Sequence, residues 1–199
     1  MRKIKVLNHI TLDGVLQAPG KPEEDPRDGF AHGGWSVPYG DSVMAEALGF
    51  GPNPPAEERA GGAMLFGRRT YEDLYDSWHG RSDNPFTALF EKSEKYVVSA
   101  TLTDPLPWNN STLLAGDTVQ AVSGLKETPG PDLLMMGSAE LIQTLMGARL
   151  IDEFKLLIYP LVLGTGRRLF TDPGAPAKLR VTDSVITTTG VVIVTYEQQ

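Results

Sequence analysis

Short apolar runs bounded by turn residues alternate with helix-opening patterns along most of this chain, and that alternation narrows the fold more than any other feature. Residues 4–10 read as a strand, and 63–66, 96–99, 112–115 and 133–136 are short runs of the kind that suits strands buried on both faces. Residues 154–163 form a longer run in which Pro160 implies an edge or a bulge, and 179–182 and 191–196 complete the strands. Helical patterns fall between them. Thr70-x-x-Asp73 has a capping spacing ahead of the face Tyr71, Leu74, Tyr75 and Trp78. Asn84-Pro85 offers a cap and a first-turn proline before Phe86, Leu89 and Phe90. Asp117-x-x-Gln120 opens a helix to about Leu125, Ser138 caps one carrying Leu141, Ile142, Leu145 and Met146, and a shorter one is expected over 41–48. Strand–helix alternation followed by a strand-only tail predicts an α/β fold with a mainly parallel sheet whose edge is closed by antiparallel strands.

At 199 residues the chain fits one domain with a full core. Its net charge of −7 gives no footprint for nucleic acid, so a phosphate-bearing ligand would need a local cationic or amide-rich pocket. With no cysteine there can be no disulfide, thiolate nucleophile or iron–sulfur cluster. No signal-peptide pattern or membrane-length apolar run is present, so a cytoplasmic protein is expected, with a small-molecule substrate and no membrane partner. His9, His32 and His79 show no metal-ligand spacing, and neither a nucleophile elbow nor a P-loop occurs.

Three places where a strand run meets a turn carry candidate chemistry. Gly67-Arg68-Arg69-Thr70 sits where a strand passes into a helix, where free N–H groups and the helix dipole attract phosphate and an arginine can fork onto its oxygens; the alternative is a tight turn with two solvated arginines. Gly137-Ser138-Ala139-Glu140 repeats that design, with an ordinary strand-to-helix turn as the alternative, and a pyrophosphate can lie between neighbouring helix N-termini of one parallel sheet. Ser99-Ala100-Thr101 could line a ribose phosphate or be a polar loop entry. Leu163-Gly164-Thr165-Gly166 contains Gly-x-Gly without the third glycine, since position 169 is leucine, so it reads as a pocket-lining turn or a plain hairpin turn. Asp13-Gly14 is a turn signal, and Asp41 reads as a helix cap. The stretch 17–40 is long for a structureless loop and holds Trp35 and Tyr39, which makes it a candidate lid or substrate-pocket wall.

Taken together, Thr-Leu-Asp-Gly (11–14), Leu-Phe-Gly-Arg-Arg-Thr-Tyr-Glu (65–72), Tyr-Val-Val-Ser (96–99), Gly-Ser-Ala-Glu-Leu (137–141), Leu-Ile-Asp-Glu-Phe (150–154) and Pro-Leu-Val-Leu-Gly-Thr-Gly-Arg-Arg-Leu-Phe (160–170) resemble the dihydrofolate reductase-like superfamily. The branch is that of the C-terminal reductase domain of bifunctional riboflavin-biosynthesis proteins. The resemblance runs from about Lys3 to Glu197. It implies a mixed, mostly parallel sheet flanked by helices, with an antiparallel C-terminal strand. It also implies NADPH held by Gly67, Arg68, Arg69 and Thr70, by Ser99, Ala100 and Thr101, and by Gly137, Ser138, Ala139, Glu140 and Leu141, with Leu163 and Gly164 nearby. A homodimer and hydride transfer to a small heteroaromatic or carbonyl substrate follow as expectations. Asp41 is the nearest positional match to the proton-donating acid of dihydrofolate reductases, with Asp13 second, and Trp35 and Tyr39 are the substrate-side candidates. The rival expectation is a nucleotide-binding paralogue or sensor that has lost catalysis.

Overall fold

A computed structural model of the chain describes residues 1–50, 62–81, 85–171 and 176–199. In chain order it contains β1 (Ile4–Thr11), α1 (Ser42–Ala47), β2 (Ala63–Gly67), α2 (Arg68–Trp78), α3 (Pro85–Lys92), β3 (Glu94–Val98) and β4 (Ser111–Leu114). Then follow α4 (Thr118–Glu127), β5 (Leu133–Met135), α5 (Ala139–Gly147), β6 (Glu153–Tyr159), β7 (Leu179–Ile186) and β8 (Val192–Gln198). The eight strands form one sheet in the order β4-β3-β2-β5-β1-β6-β8-β7. β1 to β6 run parallel, β8 lies antiparallel to β6, and β7 pairs antiparallel with β8. The expected α/β architecture, mostly parallel with antiparallel strands closing one edge, is the one observed. Among the described residues no helix is long and apolar enough to cross a membrane.

Several local expectations are corrected. Helix α2 starts at Arg68, with Gly67 in the cap position, so Thr70 lies inside the first turn and does not cap it. Extended backbone at Gly67 runs straight into the helix, and the Thr-x-x-Asp spacing is a coincidence of its first turns. Pro160 neither bulges nor edges its strand. β6 lies inside the sheet and ends at Tyr159, so the proline stands just beyond the ladder, where no N–H is required. β7 runs four residues past its predicted end because it is the edge strand, exposed for most of its length, and shows no apolar alternation. Asp41 and Asp117 cap their helices as expected, accepting from Met44 N and Gln120 N. Ser138 occupies the cap position of α5 without a side-chain cap bond. The proposed cap Asn84 and the side chain of Phe86 lie outside the described residues.

How the core is divided decides where a ligand can go. On one face, α4 and α5 bury Val122, Leu125, Leu141, Ile142 and Leu145 against Val6, Ile10 and Leu65 in a single continuous cluster. The other face carries two separate clusters. Val15, Trp35, Met44, Leu157 and Tyr159 pack beneath α1 and the preceding loop, and Met64, Phe66, Tyr71, Phe90 and Trp108 pack beneath α2 and α3. Between the two, the sheet is left as the floor of a trough.

Candidate functional site

The turns after β2 and β5 lock into each other. A Cβ on Gly67 would stand 2.7 Å from Ser138 Oγ, and one on Gly137 would stand 3.3 Å from Thr70 Oγ1. Each glycine therefore accepts the hydroxyl-bearing residue of the opposite turn, and Gly137 also has a positive φ of 69° that a side chain would strain. β2 and β5 are sheet neighbours, so the N-termini of α2 and α5 lie side by side over their carboxyl ends. Free N–H groups and two helix dipoles converge there, the arrangement that attracts a pyrophosphate. Gly137 N donates to Asn8 Oδ1 at 3.1 Å, tying the turn to β1. Ser99 immediately follows β3, the neighbour of β2, and its Oγ accepts from the N–H groups of Thr101 and Leu102, which shapes a third turn beside the one after β2. Arg68 and Arg69 are exposed at the start of α2, and Arg68 pairs loosely with Glu72 at 3.9 Å. In a chain of net charge −7 these arginines make the turn locally cationic.

These turns open into a cleft of about 2100 Å³, which also takes in the trough and the first part of the 17–40 loop. Single small-ligand pockets run to roughly 1,000 Å³, so the cleft has room for a dinucleotide and a second molecule. The loop over it is ordered. Gln17, almost wholly buried, donates through Nε2 to the carbonyls of Asp25 and Arg27 and accepts from Arg167 N. The loop also places Arg27 beside α2, where burial raises the Asp73 carboxyl above its usual range despite the nearby guanidinium.

On the trough floor, alternate residues of β1 and β6 share one face, with Lys5 opposite Glu153, Leu7 opposite Lys155 and His9 opposite Leu157. Lys155 Nζ donates to Ala47 O at the end of α1. His9 Nδ1 and the Tyr159 hydroxyl lie 2.6 Å apart. Burial pushes His9 down to about 4 and Tyr159 up to about 12, so both are neutral at physiological pH.

Neither carboxyl expected to donate a proton is placed to do so. Asp41 Oδ1 accepts from Met44 N, and Oδ2 accepts from Thr188 N at 2.7 Å and Thr188 Oγ1 at 2.6 Å. Asp41 thus clips α1 to the β7–β8 turn, and the Thr188 hydroxyl holds its carboxyl below the usual range. Asp13 accepts from the Thr11 hydroxyl and from Leu163 N and Gly164 N, with Arg168 at 3.4 Å. Those donors, Thr11 first, hold it at about 2. A carboxyl with a lowered pKa, spent on backbone N–H groups, is a poor acid near neutrality. The same bonds explain Leu163 and Gly164, which bind Asp13 and do not line the cleft. Trp35 and Tyr39 are also absent from its walls. Trp35 is buried with Nε1 donating to Gln17 O, and both rings stand edge-on to Tyr159, at 5.1 and 5.4 Å.

A family model described as the RibD C-terminal domain matches residues 2–195. The chain belongs to the RibD C-terminal domain family. This RibD C-terminal domain is 32% identical over 139 residues to the uncharacterized protein YyaP of Bacillus subtilis (strain 168), covering 67% of this chain and 72% of that one. Its fold matches a putative riboflavin biosynthesis protein from Shewanella sp. PV-4, with a TM-score of 0.67, 20% identity and 99% of each chain covered. It also matches the dihydrofolate reductase from Enterococcus faecalis solved with NADP(H), with a TM-score of 0.59, 11% identity, and 99% of this chain and 96% of that one covered. The fold of this RibD C-terminal domain is thus dihydrofolate reductase-like, in the branch expected from the sequence motifs.

In this RibD C-terminal domain the three glycine- or hydroxyl-bearing turns come together as the sequence indicated, whereas Asn8, His9, Gln17, Asp73 and Tyr159 escaped sequence reasoning. One signal was available for two of them. Asn8-His9 places adjacent polar residues, one on each face, in the middle of a strand whose neighbouring positions Val6, Leu7 and Ile10 are apolar. Gln17 and Tyr159 carry no such mark, since their roles depend on contacts 8 to 150 residues away.

Proposed function

We propose that this protein is a reductase that takes NADPH as its hydride source and acts on a small heteroaromatic or carbonyl substrate. The observation that carries the reading is the interlock of Gly67 with Ser138 and of Gly137 with Thr70, which sets two helix N-termini side by side over neighbouring strands. The residues fit a dinucleotide. Backbone N–H groups from Arg68 onward and from Ala139 onward would receive the pyrophosphate, and Arg68 and Arg69 would meet the additional phosphate that distinguishes NADPH from NADH. Ser99, Ala100 and Thr101 would lie along the adenosine side. When bound, NADPH supplies a hydride. The chain's own work is to orient the substrate on the trough floor, to exclude water with the Gln17-anchored loop, and to offer a donor where negative charge develops.

A catalytically silent nucleotide-binding role is the second reading, favoured by one observation: Asp13 and Asp41 are both committed to backbone donors. Titration with NADPH and with NADH, followed by nucleotide fluorescence, tests the first reading. NADPH is expected to bind with clear preference. Arg68→Ala combined with Arg69→Ala is expected to weaken NADPH by about tenfold or more while changing NADH little, as loss of a charge-assisted contact implies. Unchanged NADPH affinity in that variant removes the phosphate assignment. Absence of binding of either nucleotide sinks the reductase reading.

A further inference from the structure

The trough floor contains one side chain whose ring is half spent. His9 lines the cleft, and its Nδ1 is taken by the Tyr159 hydroxyl at 2.6 Å. Its Nε2 has no partner among the described residues, yet it is not among their enclosed polar atoms, so it is open to the cleft. Tyr159 is fixed on three sides. Trp35 and Tyr39 press their ring edges against it, and Met44 Sδ lies 3.8 Å from its oxygen. That oxygen has one proton to give. An imidazole nitrogen at 2.6 Å is a far better acceptor than a thioether at 3.8 Å or than the more distant Ser36 hydroxyl, whose own proton goes to Pro19 O, so the phenol donates to Nδ1. Since burial keeps the ring neutral, the proton on His9 then sits on Nε2, facing the cleft.

The rest of the floor does not compete. Lys155 is directed to Ala47 O, and Asp132 accepts from Lys3 N and pairs with Lys5. Glu153 lies opposite Lys5, four residues back along β1 and so about 13 Å from His9. Leu7, Leu134 and Met136 supply apolar surface. Around His9 itself the floor is apolar, and a neutral N–H donor set in such a surface accommodates an uncharged acceptor.

We infer that His9 contacts the substrate, its Nε2–H donating to a neutral carbonyl oxygen, and that Tyr159 is the positioning residue that fixes this tautomer. The inference rests on the reductase reading above and adds the donor that Asp13 and Asp41 do not supply. A neutral imidazole held this way stabilises an oxygen that gains negative charge, without having to carry a charge itself.

The test uses the full chain saturated with NADP+ and, as probe, lumazine, a flat heteroaromatic dicarbonyl. Long-range 1H–15N spectra of the His9 ring are expected to show a bare Nδ1 and a protonated Nε2 at neutral pH, with the Nε2 signals moving when lumazine binds. His9→Phe is expected to weaken lumazine about tenfold with NADP+ affinity unchanged, and His9→Gln, which keeps an N–H near the same place, to recover most of the loss. In Tyr159→Phe the ring is expected to show a mixture of tautomers, a change that a packing role for the phenol would not produce. A protonated Nδ1 in the unmodified protein overturns the inference, whether or not the His9 variants fold. So does lumazine binding that His9→Phe leaves intact, or failure of the NADP+-loaded protein to bind lumazine at all. Failure to bind NADP+ itself is a different result, and it removes the reductase reading along with this inference.

Discussion

At the scale of single residues, Gly67 and Asp13 show how little separates a binding turn from a structural one. Alanine at 67 would bring its methyl group within 2.7 Å of Ser138 Oγ, but it would meet Ser138 Cβ and Leu141 Cβ at ordinary distances of 3.7 and 4.0 Å. The clash is therefore with one hydroxyl, which can rotate away. Gly67→Ala is expected to cost about 1 kcal/mol of unfolding free energy in urea, and Gly67→Ala with Ser138→Ala to recover most of it. NADPH should bind the single variant more weakly, because the turn that would receive phosphate has shifted. Asp13 gives a pH dependence. Its carboxyl titrates at about 2 in the folded protein against the usual 3.8. At pH 5 it is ionised in both states, and its stabilising bonds to Thr11, Leu163 and Gly164 are fully present. As pH falls from about 4 to about 2 the unfolded chain takes up its proton first, and that contribution is lost. Thermal melts should therefore show Asp13→Asn less stable than the parent at pH 5, with the gap closing toward pH 2. A gap that stays constant with pH would mean that the Asp13 carboxyl is not the anchor of the 163–164 turn.

At the scale of elements, short apolar runs between turn residues were the most legible strands in the sequence, both where the strand is buried, as β2 is, and where it forms the sheet edge with no fully buried residue, as β4 does. β2, β3, β4 and β5 each lie within two residues of where the pattern places them. The elements that misled are those whose fate is decided by a neighbour. β7 has no apolar alternation because it is an exposed edge, and Val181 and Asp183 flank an irregularity in its pairing with β8 that disfavours addition of a further strand. An exposed loop tryptophan is costly, which makes Trp35 read as a lid or pocket-wall residue; the loop meets that cost by burying the ring against Tyr159. The same distinction runs through the site. The phosphate-facing turns depend on local backbone chemistry that glycine and serine announce. The His9–Tyr159 pair depends on the register of β1 against β6, which no local pattern encodes.

At the scale of the whole molecule, one face of the sheet is covered by a continuous core and the other by two cores that do not meet. The α1 side and the α2–α3 side are joined through the sheet and by the loop that Gln17 stitches down. A nucleotide bound in the cleft would contact both sides. Linkage then sets the scale: at a hundred times its dissociation constant, a ligand that binds only the folded state adds about 2.7 kcal/mol. For a chain of this size that corresponds to a rise in Tm of roughly 5–10 °C, and differential scanning fluorimetry with NADPH should show it. A rise of that size with NADH at equal concentration would contradict the role given to Arg68 and Arg69.

The gap between the two cores has a further consequence. A protein with an interrupted interior has an unfinished wall, and whatever settles into the trough becomes masonry as well as cargo. Selection for a well-held ligand and selection for a durable fold then act on the same few square ångströms of floor. A substitution at Leu7, His9 or Lys155 will be felt in both.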